Sequence, residues 1–72
     1  MAQARREDTA TTAAELAVMA DTIERHRERT AALVTPFLDT EREDVVTSIH
    51  EAERQLLIAS RALRRAVKSL ER

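Results

Sequence analysis

The chain of 72 residues has no cysteine, no glycine, one proline and a single aromatic residue, Phe37. Without Cys there are no disulfides and no thiolate metal sites. Without Gly there is no Gly-rich phosphate loop and none of the usual tight-turn residue. One aromatic ring cannot make a stacking platform for single-stranded nucleic acid. The net charge is −1, so no global field draws a polyanion or a membrane. No apolar run reaches the length of a membrane span, and residues 1–8 carry positive charge with no apolar stretch behind them, unlike a secretory leader. The expected compartment is a reducing cytoplasm. The twelve cations are nearly all Arg, and Ala is abundant, a composition that suits a GC-rich bacterial genome.

What is present is helical periodicity. Ile49, Leu56, Leu63 and Leu70 recur every seven residues, and Val45, Ala52, Ala59 and Ala66 do the same four residues earlier. Two interleaved apolar columns on one helix face are the pattern of a coiled-coil seam. A second, weaker stripe runs through Leu16, Met19, Ala20 and Ile23 and resumes at Leu33 and Val34. It is interrupted at His26, Arg27 and Thr30. Val18 lies off this stripe and Ile58 off the other. They matter only if they join an apolar patch.

Two capping boxes frame these stripes. Thr12-Ala13-Ala14-Glu15 predicts a first helix over about 13–34, preceded by a frayed or partly helical segment at 1–11. Pro36 ends that helix, because its ring clashes with the carbonyl four residues back. Thr40-Glu41-Arg42-Glu43 predicts a second helix over about 41–71, after a short connection at 35–40. Two rival readings stand beside this one: a cap at Thr35 with Pro36 as the first helical residue, and one long helix kinked at Pro36. The short connection favours antiparallel neighbours. Charge favours them too. The acids of 41–53 face Arg25, Arg27 and Arg29, and the basic end of the second helix faces Glu7, Asp8, Glu15 and Asp21.

The expected fold class is therefore an all-α, antiparallel two-helix hairpin. The apolar arc of the second helix, from Ala66 through Val45, Leu63, Leu56, Ile49 and Val67 to Val46 and Leu57, spans roughly 180°. One neighbouring helix covers less than that. A single core in so small a chain rarely supplies more than about 3–5 kcal/mol. Dimerisation into a four-helix bundle with coiled-coil-like packing is the simplest remedy. Small side chains at Ala52, Ala59 and Ala66 would let a facing backbone come close.

Candidate chemistry is sparse. Arg27 and Glu53 fall inside the apolar arcs of their helices and would pair across the hairpin, disfavouring slipped registers. With a turn centred near residue 38, His26 would lie opposite His50. Neither the Glu-x-x-His of di-iron bundles nor His-Glu-x-x-His is present, and no metal or cofactor is expected. Ser48, Ser60 and Ser69 sit mid-helix with no nucleophile elbow, so no catalytic residue is assigned and no enzyme is expected. Arg54, Arg61, Arg64, Arg65, Lys68 and Arg72 lie within an arc of about 100° and form a possible anion-binding stripe. The expected function is structural or protein–protein interaction: a small assembly, adaptor or accessory subunit whose partner is itself or another helical protein. A nucleic-acid or anionic-surface binder is the alternative, and a helical-bundle metal protein or enzyme built on His26, Arg27, His50 and Glu53 comes last.

Overall fold

The computed structural model describes residues 5–72. Two long helices, α1 (Arg6–Ala32) and α2 (Glu43–Glu71), pack antiparallel as a hairpin. A single 3-10 turn, Thr35–Phe37, lies between them. The hairpin is a rod of 58 × 19 × 15 Å. Among the described residues there is no strand, and because α1 and α2 fold back on each other the single kinked helix is excluded.

Helix α1 begins at Arg6, well before the predicted start near 13, and the capping box at Thr12 is not used. The reason is tertiary. α2 runs to Glu71, and its terminal Val67 and Leu70 need cover that only an extended α1 supplies. Thr9 and Ala13, both half-buried, continue the packed face to that end. Glu7 and Asp8 fall in the first turn, where their charge complements the helix dipole. The predicted segment 1–11 is thus helical from Arg6. Its residues 1–4 lie outside the described residues.

α1 stops at Ala32. The Leu33 amide donates to the Thr30 carbonyl at 3.1 Å, tightening the last turn. Pro36 then sits in the 3-10 turn, where its missing N–H costs nothing. Neither Thr35 nor Thr40 caps α2, which starts at Glu43 with Arg42 as the flanking residue. Thr40 instead ties the turn. Its hydroxyl donates to the Phe37 carbonyl at 2.6 Å and accepts the Arg42 amide at 3.1 Å. Asp39 takes the left-handed backbone, φ 60°. In a chain without glycine, Asp is among the few residues that tolerate it.

The packed faces follow an alternating spacing of three and four. On the α1 side they are Thr9, Ala13, Leu16, Ala20, Ile23, Arg27 and Thr30, continued by Val34. On α2 they are Val46, Ile49, Glu53, Leu56, Ser60, Leu63, Val67 and Leu70. All are buried or half-buried. The column Ile49, Leu56, Leu63, Leu70 is the expected one. Its companion column is not. Val46, Glu53, Ser60 and Val67 replace Val45, Ala52, Ala59 and Ala66, one residue later. Ala52 and Ala59 are exposed, and Val45 and Ala66 are half-buried at the edge. At 100° per residue this turns α2 by about 50° from the face that the two seven-residue columns select, towards the Val46 and Val67 side of the apolar arc. The closest packing is at mid-rod, where the small residues Ala20 and Ser60 are almost fully buried, 0% and 2% exposed.

Candidate interaction face

The rotated seam brings polar residues together. Arg27 donates from NH1 to Glu53 at 3.4 Å across the hairpin, the expected pair. It donates more closely to Glu24 on its own helix, from Nε at 3.0 Å and NH2 at 2.6 Å. The other Glu24 oxygen accepts the Ser60 hydroxyl at 3.2 Å, and Ser60 also donates to the Leu57 carbonyl at 2.9 Å. One carboxylate thus joins both helices. The Arg27 hydrogen bond holds the Glu24 carboxyl below its ordinary 4.5, and Glu24 in turn raises the Arg27 pKa. Sequence reasoning found Arg27 and Glu53 but missed Glu24 and Ser60. Glu24 could have been found, because it stands three residues before Arg27 on the same helix face, whereas nothing marked Ser60.

This network closes one edge of the hairpin. Beyond it, Arg64 donates to Asp21 at 2.7 Å, and Leu57 is half-buried beneath. The opposite edge is open. A groove of about 590 Å³ runs between the helices there. Val18, Met19, Thr22 and His26 of α1 form one bank. Ala59, Ala62 and Ala66 of α2 form the other, with Ile23 and Leu63 on the floor. Val18 and Met19 are 63% and 51% exposed, so both large side chains overhang the groove. Leu33, also exposed, extends the same α1 edge towards the turn. Met19, Leu33, Ala52 and Ala59, expected at a core or an interface, are exposed and lie outside the buried seam of the hairpin. Val18, which has no place in the α1 stripe, joins an apolar patch. Ile58, on the back of α2, does not line the groove.

The bank supplied by α2 is uncharged throughout. Val45, Ser48, Ala52, Gln55, Ala59, Ala62, Ala66 and Ser69 follow one another at three- and four-residue spacing without a single ionisable group. The remaining surface of α2 is densely charged. Arg54 donates to Glu51 at 2.6 Å, and Gln55 and Arg54 together lower the Glu51 pKa. Arg61, Arg64, Arg65 and Lys68 border a shallow depression of about 240 Å³. Among the described residues Arg61, Arg65, Lys68 and Arg72 have no ion-pair partner. The six residues of the expected stripe are all exposed, but Glu51 and Asp21 neutralise two of them.

The histidines do not meet. His26 borders the groove, whereas His50 falls on the opposite edge of the hairpin, because the turn centres nearer residue 40 than 38. Among the described residues no three His, Asp or Glu side chains converge to hold a metal. No helix among them is long and apolar enough to cross a membrane. Comparison with protein-family models, with characterised proteins and with solved structures finds no match, so what the chain does is read from this geometry alone.

Proposed function

We propose that the chain is a small non-enzymatic interaction module, an assembly, adaptor or accessory subunit, that buries its open edge against a second copy of the hairpin to complete a four-helix bundle. The single supporting observation is the groove. Large apolar side chains overhang it on one bank, and an uncharged, mostly alanine bank faces them. Such a strip costs solubility in a lone rod and lets another backbone approach closely in a bundle. The rod has little interior of its own. Only Ala20 and Val34 are buried apolar residues among those described.

Light scattering across a hundredfold range of concentration tests this. The expected species has twice the chain mass of 8.1 kDa. Met19→Glu is expected to return it to the monomer mass while keeping helical circular dichroism, because Met19 is exposed at the groove and lies outside the buried seam. A wild-type chain that stays monomeric and melts at one temperature across that range would overturn the reading.

A second reading has one observation in its favour, the run of cations Arg61, Arg65 and Lys68, which have no ion-pair partner among the described residues. Binding of a short DNA duplex at low salt, lost as salt rises, would be its signature. No mobility shift at low salt would end it.

A further inference from the structure

We infer that the occupant of the groove is a second copy of this chain, laid across it with the two turns at opposite ends and a two-fold axis passing close to Thr22. The inference rests on the interaction reading above and adds the orientation and the symmetry axis to it.

Two charge patterns carry it. The first belongs to the whole rod. Its turn half, residues 25–53, holds seven acidic and four basic residues, net −3. Its open half, residues 5–24 with 54–72, holds eight basic and six acidic residues, net +2. Two such rods side by side attract when each turn lies against the other's open end, and repel when the turns lie together.

The second pattern is local. Glu15, Thr22 and Arg29 recur at seven-residue spacing along the α1 bank of the groove. Glu15 and Arg29 are exposed and have no ion-pair partner among the described residues. They stand seven residues either side of Thr22, which lies in the middle of the groove's α1 lining. A two-fold axis there sets α1 antiparallel to its copy and brings each Glu15 to the other chain's Arg29. The contact is self-complementary, as a two-fold interface requires. It also lays the uncharged α2 bank on its own copy, where alanines permit close approach and no charge is left unpaired. The arrangement with turns together fails on both counts. It sets the two negative halves side by side and faces Glu15 and Arg29 with uncharged α2 side chains.

The chain has no cysteine, so a single spin label is placed cleanly. Glu41 is exposed in the turn, far from the groove. At 1.5 Å per residue from an axis at Thr22, labels on Glu41→Cys should lie about 57 Å apart in the dimer. With turns together they would lie within about 25 Å, two helix diameters. Glu15→Arg alone should raise the dimer dissociation constant roughly tenfold, and Glu15→Arg with Arg29→Glu should restore it, since two pairs change sign per dimer. A dimer with the short distance, or one indifferent to the charge swap, overturns this inference and leaves the interaction reading standing. A monomer overturns both.

Discussion

At the residue scale the informative positions are the polar ones inside the seam. Glu24 is a depressed carboxylate, so the sign of its effect is determined. Its contribution to stability is complete above its ordinary 4.5 and is lost as pH falls through its lower folded value. Arg27, its main cause, is also the residue whose loss leaves Glu24 and Glu53 half-buried without a cation. Arg27→Met should therefore melt below wild type at neutral pH, and the two melting temperatures should converge as pH falls from 5 towards 3. Asp44 and Glu51, held down by Arg42 and Gln55, keep their partners in both proteins and cancel from the comparison. Parallel melting curves would show that Glu24 owes nothing to Arg27. The pair Arg27 and Glu53 was legible because each breaks an apolar stripe. Ser60 was not, because a lone serine in a helix carries no such contrast.

At the element scale the helices were legible and their ends were not. Periodicity places both helices, and Pro36 places the break between them. Thr12 and Thr40 look like caps, yet neither acts as one. Helix ends here answer to length matching: α1 extends to Arg6 because α2 reaches Glu71. The turn answers to Asp39, whose left-handed φ no motif announces. Asp39→Gly should leave stability within about 1 kcal/mol of wild type or raise it slightly. Asp39→Val should cost roughly 1–2 kcal/mol by placing a β-branched residue in that conformation. Urea unfolding of the two variants measures both effects, and equal loss in both would assign the cost to the Asp39 side chain instead of the backbone.

At the scale of the whole molecule, amphipathic pattern and charge order together determined an antiparallel helical hairpin. Apolar residues at three- and four-residue spacing leave few other folds open, and acids opposite bases oppose the parallel pairing. Which face turns inward was decided only in the tertiary structure. Counting apolar side chains puts the alanine column in the seam, because burial is scored there one helix at a time. Packed against α1, α2 turns Val46 and Val67 inward together with Glu53 and Ser60, which meet Arg27 and Glu24. That rotation brings Ala59 and Ala66 out beside Val18 and Met19. The groove belongs to neither helix alone: each supplies one bank, and only their packing sets the two side by side.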